Sequence, residues 1–132
     1  SLTAIKEICL KQIDITNRKF TDGFPGVESL KEWFALNFNF NLKVTKAGSY
    51  KFRIKSDDGS ILLIDGMEVV NNDGQHSAKD AEKDIVLTAG SHKVNLQYFQ
   101  GPADEIALEL FWTPPGESES YIPTKYVTRT AY

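Results

Sequence analysis

Phe34-Ala-Leu-Asn-Phe-Asn-Phe-Asn-Leu-Lys-Val44 decides the fold. Phe34, Leu36, Phe38, Phe40, Leu42 and Val44 share one parity, while Ala35, Asn37, Asn39, Asn41 and Lys43 take the other. Successive side chains of an extended chain point to opposite faces, so this segment has one dry face and one wet face. A helix would scatter the same apolar set around its circumference. Working outward, Lys46-Ala47-Gly48 makes a turn, and Tyr50, Phe52 and Ile54 then alternate with Lys51, Arg53 and Lys55. That is a second strand, antiparallel to the first, with a solvated basic outer face.

Asp57-Asp58-Gly59 interrupts the alternation. Ser60–Ile64 and Met67–Asn71 flank Asp65-Gly66, the dipeptide favoured in a two-residue type I′ hairpin. Asn72–Lys83 reads as a polar loop and Asp84–Thr88 as a short strand. Val94, Leu96 and Tyr98 alternate with Lys93, Asn95 and Gln97, and Ile106, Leu108, Leu110 and Trp112 with Ala107, Glu109 and Phe111. His92, beside a turn, is expected on the wet side of its strand. Upstream, Ile5–Ile15 also reads as a strand. Pro114-Pro115-Gly116 ends the last long strand, leaving Glu117–Tyr132 as a tail pinned by Tyr121, Ile122, Tyr126 and Val127. No stretch of ten or more residues keeps a helical period. Strands at roughly 8–12-residue spacing with turn signals between them predict an all-β sandwich or barrel.

The 132 residues match the size of one domain with a single core, here residues 1–132. Hydrophobic residues at 41% and charged residues at 25% argue against disorder. Lys plus Arg is 15 and Asp plus Glu is 18, and a net charge of −3 argues against a nucleic-acid binder that neutralises phosphates. No purely apolar run exceeds four or five residues, against the roughly 20 needed to span a bilayer, so membrane insertion is not expected. Cys9, the single cysteine, excludes an intrachain disulfide and reads as a small buried hydrophobe. The chain starts at Ser1 with neither methionine nor a basic-then-apolar leader, as an excised domain or processed product does.

Catalytic signatures are missing from the sequence. It holds no Gly-x-Ser-x-Gly, no Cys-His motif and no His-x-x-x-His, and its two histidines, His76 and His92, lie 16 residues apart. Asp57-Asp58 is the informative cluster. Adjacent carboxylates at a strand end repel unless something cationic compensates. Two readings stand. One is a turn, in which aspartates bond nearby backbone amides. The other is calcium, a hard cation that takes about 6–8 oxygen ligands at about 2.3–2.6 Å. Two carboxylates cancel its charge without filling its shell, so another loop must contribute. Gln100–Glu105 is the natural donor: it joins two adjacent strands, carries an amide with two carboxylates (Asp104 and Glu105), and turns carbonyls inward at Gly101-Pro102.

Several motifs, taken together, resemble the PA14 domain of bacterial and yeast adhesins, glycosidases and toxins. They are Gly48-Ser-Tyr-Lys-Phe-Arg-Ile-Lys-Ser-Asp-Asp-Gly-Ser60, Ile64-Asp-Gly66, Asn72-Asp-Gly-Gln-His76, Leu87-Thr-Ala-Gly-Ser-His92, Tyr98-Phe-Gln-Gly-Pro102 and Phe111-Trp-Thr-Pro-Pro-Gly116. The resemblance covers about residues 5–127 and implies a sandwich of two antiparallel sheets. It also implies calcium-dependent carbohydrate binding, in which two consecutive aspartates joined by a cis peptide bond hold Ca2+. Carried over, these are Asp57 and Asp58. The second loop's amide and carbonyls map onto Gln100 and onto Gly101 to Asp104, with Asp104 also a metal ligand. Asp57, Asp58 and Gln100 then contact the sugar, and Asp104 or Glu105 accepts its hydroxyl hydrogen bonds.

The expectation is a non-enzymatic, lectin-like module of a larger multidomain adhesin, secreted or at the cell surface, whose partner is a glycan. The alternative is a structural or protein-interaction PA14 module without metal or sugar, or an accessory domain of a glycosidase or protease. Neither reading accounts for the asparagine row Asn37, Asn39 and Asn41.

Overall fold

The computed structural model describes residues 12–26, 34–74, 77–101 and 105–129. They form ten strands: β1 (Asp14–Lys19), β2 (Phe34–Val44), β3 (Gly48–Asp57), β4 (Gly59–Ile64), β5 (Met67–Asn72), β6 (Lys79–Leu87), β7 (Gly90–Gln100), β8 (Glu105–Thr113), β9 (Ser120–Tyr121) and β10 (Val127–Arg129). Short 3₁₀ turns occupy Phe20–Asp22 and Thr124–Tyr126. One sheet has the order β1-β8-β3-β6, with β9 added to β8, and the second runs β10-β2-β7-β4-β5. Every pairing is antiparallel, so the fold is the all-β antiparallel sandwich that the alternation predicts.

The even-numbered residues of the long strands build the core. Leu42 and Val44, Phe52 and Ile54, Leu62 and Ile64, Val94 and Leu96, and Leu108 and Leu110 meet between the sheets. Each such burial is worth roughly 1.5–3 kcal/mol, which makes register unambiguous, since a one-residue slip would turn every one of these side chains to water. Phe24, fully buried after β1, closes one end of the core against Phe34, Phe38 and Tyr98, with ring centroids 5.6–6.3 Å away. Cys9, Trp33 and the Ile5–Lys11 part of the N-terminal strand reading lie outside the described residues.

Three expectations are corrected. The Asn72–Lys83 loop is shorter, because β6 already begins at Lys79. Its charges do not alternate with apolar residues but pair sideways with the basic row of β3. Lys51 lies opposite Asp84, Arg53 opposite Glu82 and Lys55 opposite Asp80, an arrangement that stabilises an edge strand. The tail is not merely pinned: β9 adds to one sheet and β10 to the other. Arg53 anchors it, since its guanidinium meets Asp80 at 2.6 Å and Glu119 at 2.8 Å while lying 4.0 Å above the Phe111 ring. β1 runs past Ile15 to Lys19 across a register shift, and its polar end carries no period-two signal because it lies at a sheet edge.

The chain changes sheet at every connection except β4–β5 and β8–β9, and three of these crossings frame one region: between β3 and β4, between β5 and β6, and between β7 and β8. Because β3 pairs with β8 and β4 pairs with β7, the first and third crossings lie side by side at one end of the sandwich. The Asp65-Gly66 hairpin and the β6–β7 turn lie at the other end.

Candidate functional site

The crossing from β3 to β4 is abrupt. Asp57 still pairs with Ala107 in one sheet, and Gly59 already pairs with Phe99 in the other, so Asp58 alone makes the transit. The Asp57–Asp58 peptide bond is cis, as the PA14 resemblance implies. Alternation is lost here, and Ser56, Asp57 and Asp58 are all buried, the two aspartates at 1% and 6% exposure. Gly59 is required by close approach. A Cβ there would lie 2.7 Å from the Gly74 nitrogen and 2.9 Å from both Gly74 O and Asp73 Oδ1, so the loop after β5 folds directly over it. Beneath the doublet, the Ser56 and Ser60 hydroxyls share a hydrogen bond at 2.7 Å. Asn72 Nδ2 donates to Ser56 Oγ at 3.1 Å and to the Lys79 carbonyl at 2.7 Å, tying the β5–β6 crossing to the same end.

The β7–β8 crossing meets the doublet directly. The Gly101 N–H donates to Asp58 Oδ2 at 2.6 Å. The Tyr98 hydroxyl donates to the main-chain oxygen of Asp57 and lies 2.8 Å from Gln100 Oε1, while Gln100 Nε2 donates to the Glu105 carbonyl at 3.1 Å. Asp57, Asp58, Gln100 and Gly101 are therefore brought together. The Gln100 side chain is fully buried and braces the second loop from within. The Glu105 carboxylate is turned toward β1, where Asn17 Nδ2 donates to it. Asp104 and His76 lie outside the described residues.

Burial, reinforced by the negative charges of Asp57 and Asp58, drives the Tyr98 phenol far above its ordinary pKa. Tyr98 thus remains a neutral hydroxyl donor at any ordinary pH. Sequence reasoning missed it: its parity marks a core residue, and nothing local marks the use of its hydroxyl. The Ser56–Ser60–Asn72 network was missed for the same reason.

The donor set fits a hard cation. Its members are the two carboxylates and the second loop's backbone carbonyls, oxygen ligands of the kind calcium takes, whereas the Gln100 amide, expected as a ligand, is spent on Tyr98 and the Glu105 carbonyl. Carboxylates buried this far have to be matched by positive charge or by hydrogen bonds. Among the described residues no three His, Cys, Asp or Glu side chains gather, so an ion here would have to draw the rest of its shell from carbonyl or ligand oxygens.

The comparisons with known proteins bear on the whole span. No curated protein sequence matches the chain. Among solved structures, a PA14 sugar-binding domain from an RTX adhesin is 20% identical with a TM-score of 0.73, over 90% of this chain and 76% of that one. The PA14 domain of the antifreeze protein MpAFP is 14% identical with a TM-score of 0.72, over 89% of this chain and 71% of that one. An anti-sigma factor domain-containing protein from Clostridium clariflavum is 20% identical with a TM-score of 0.78, over 92% of this chain but only 40% of its own. The chain thus spans about two fifths of the length of that protein. At these identities the likeness is one of fold. The PA14 domain family model matches residues 14–125, from the first residue of β1 into the second 3₁₀ turn, with both loops inside it. The chain belongs to the PA14 domain family.

Proposed function

We propose that this PA14 domain is a non-catalytic, calcium-dependent glycan-binding module. The observation that carries the reading is the pair of adjacent carboxylates at 1% and 6% exposure, met by the second loop through the Gly101 N–H at 2.6 Å. Asp57 and Asp58 would hold Ca2+, with carbonyls of Gln100 and Gly101, and Asp104 of the same loop, as further donors. When bound, the ion supplies a positive centre on which neighbouring hydroxyls of a saccharide replace water. Asp104 is the second-loop carboxylate placed in sequence to accept hydrogen bonds from those hydroxyls, since that of Glu105 is turned toward Asn17 of β1. Tyr98 holds the Asp57 carbonyl and Gln100 together, so both walls keep their spacing before ligand arrives. The kinship with a domain described as sugar-binding supports the ligand class.

A setting outside the cell or on its surface, as one part of a larger protein, accords with an adhesin and an antifreeze protein among the relatives. No helix among the described residues is long and apolar enough to cross a membrane. Calorimetric titration with CaCl2, then with simple sugars in calcium and in EDTA, tests the reading. Heat is expected for calcium, and for sugar only when calcium is present. Absence of heat in both titrations overturns the proposal.

A further inference from the structure

We propose that the outer face of the β10-β2-β7-β4-β5 sheet carries a second, calcium-independent site for a neutral oligosaccharide, centred on Asn39 and Asn95. The site stands apart from the aspartate doublet, so either proposal can fail alone.

Strand register lays the outward side chains in rows. Asn39, Asn95 and Leu63 lie abreast across β2, β7 and β4, and Asn37, Gln97 and Ile61 form the next row. Asn95 Nδ2 donates to Asn37 Oδ1 at 2.5 Å, to Asn39 Oδ1 at 2.9 Å and to the Phe38 carbonyl at 3.3 Å, and Gln97 Nε2 donates to Asn95 Oδ1 at 2.9 Å. These bonds fix the orientation of four amides. The opposite ends of three of them, Nδ2 of Asn37 and Asn39 and Oε1 of Gln97, make no hydrogen bond among the described residues. Beside the ladder lies a shallow depression of about 260 Å³, lined in part by Asn39, Asn95, Leu63, Lys93 and Gly66. Gly66 leaves its rim open, since a Cβ there would meet nothing within 4 Å.

Sheet stability does not call for this surface. Asparagine is depleted in strands, where threonine or valine does better. Yet Asn37, Asn39 and Asn41 hold alternate positions at the middle of one eleven-residue strand, and Asn95 faces them from another. Departures from local propensity gather where function demands them.

The chemistry selects the ligand. An oriented amide offers a donor and an acceptor, which is what a hydroxyl group meets best. Leu63 and Ile61, half-buried beside the amides, present apolar surface to the C–H face of a sugar ring. Lys93 adds a donor for hydroxyl oxygens, and one ammonium among uncharged amides does not make an anion site. Alternate residues of a strand are roughly 7 Å apart, so both rows are reached by an oligosaccharide rather than a single sugar.

The test is an NMR titration of the isotope-labelled 132-residue chain with maltohexaose and with cellohexaose, in EDTA. Saturable shifts of the Asn39 and Asn95 side-chain amides are expected with one of the two. They should persist in Asp58→Ala, and affinity should fall about tenfold in Asn39→Ala, the loss of one well-made hydrogen bond from its outward Nδ2. Asn95→Ala, which unties the ladder that orients Asn37 and Asn39, should weaken binding as well, and Asn39→Ala, at an exposed position, guards against an effect of Asn95→Ala on folding. The proposal is overturned if neither hexasaccharide shifts these amides, or if binding survives both substitutions. It is equally overturned if the face shifts with protein concentration in the absence of sugar, which would mark it as a contact between copies of the chain.

Discussion

Both ends of the sandwich carry turn aspartates, exposed at one and buried at the other, and they meet the charge differently. At the hairpin end Asp65 sits at a φ of +52° and accepts the Lys93 N–H at 2.9 Å and a hydrogen bond from His92 Nδ1 at 2.5 Å. The other His92 nitrogen lies 2.8 Å from the Thr88 carbonyl. Both ring nitrogens face acceptors, which favours the doubly protonated ring, and in that state the imidazolium offsets the Asp65 charge from inside the chain. At the loop end, Asp58 accepts the Gly101 N–H, and the Asp57 main-chain oxygen accepts from the Tyr98 hydroxyl. A clasp closed by its own cation needs nothing from outside. Two adjacent carboxylates gathered by a second loop are, on the proposed reading, where a cation from outside would be held.

The largest effect expected is at the loop end. Asp58→Ala should abolish calcium binding, and with it sugar binding, while the circular dichroism spectrum keeps its β-sheet form. Calorimetric melting sharpens the point. At about 100 times its Kd, calcium should add about 2.7 kcal/mol to the stability of the unaltered chain and nothing to that of Asp58→Asn. An unaltered chain whose Tm ignores calcium would erase the contrast between the two ends.

Next come the glycines that shape each end. Gly59→Ala drives a Cβ into backbone at 2.7 Å and should cost about 2–3 kcal/mol in urea denaturation. Gly66→Ala meets no atom but must hold a φ of +80°, and should cost roughly 1–2 kcal/mol. A reversed order would mean that the β5–β6 crossing does not press on the doublet. Tyr98→Phe ranks third. It loses a buried hydroxyl that holds Asp57 and Gln100, which should cost about 1 kcal/mol of stability and weaken calcium binding several-fold, read by titration.

The smallest effect is the pH response of the hairpin clasp. Burial pulls the His92 pKa down, but the hydrogen bonds to Asp65 and Thr88 outweigh it and leave it above 6.5. Burial pushes Asp65 up, and its bonds from His92 and the Lys93 N–H outweigh that, leaving it below 3.8. The raised histidine contributes stability that is complete below pH 6.5 and lost as pH rises through its folded-state value. The lowered aspartate contributes stability that is present above pH 3.8 and lost as pH falls through its own. The clasp is therefore strongest between those two values. With the Asp65 side chain 49% exposed, solvent screening holds the loss between pH 6 and pH 9 below about 1 kcal/mol. His92→Gln should flatten that slope and leave calcium binding unchanged.

Much of this was legible in the chain itself. The parity of Phe34–Val44, Tyr50–Ile54 and Val94–Tyr98 marks the inner faces, because burial rewards a strict period of two. It fails at β6, whose stabilising pairs run sideways to another strand and leave no pattern along its own sequence. His92 was expected on the wet face, yet it shares the parity of Val94 and is buried. Its polarity is satisfied by Asp65, 27 residues away, a partner that only the hairpin brings near. The doublet was legible because two adjacent acids at a strand end are an electrostatic oddity. The bracing around it was not, since a hydroxyl on a core-parity tyrosine and two serines separated by a cis turn carry no local mark.

The charge-striped rim formed by β6 also governs what the molecule avoids. An open sheet margin is a template on which another chain can lengthen the ladder. Here an added strand would have to lie along Asp80, Glu82, Lys83 and Asp84, all solvated, and strip water from their charges. Molecules of this kind can therefore be crowded shoulder to shoulder without zipping into fibres along that margin.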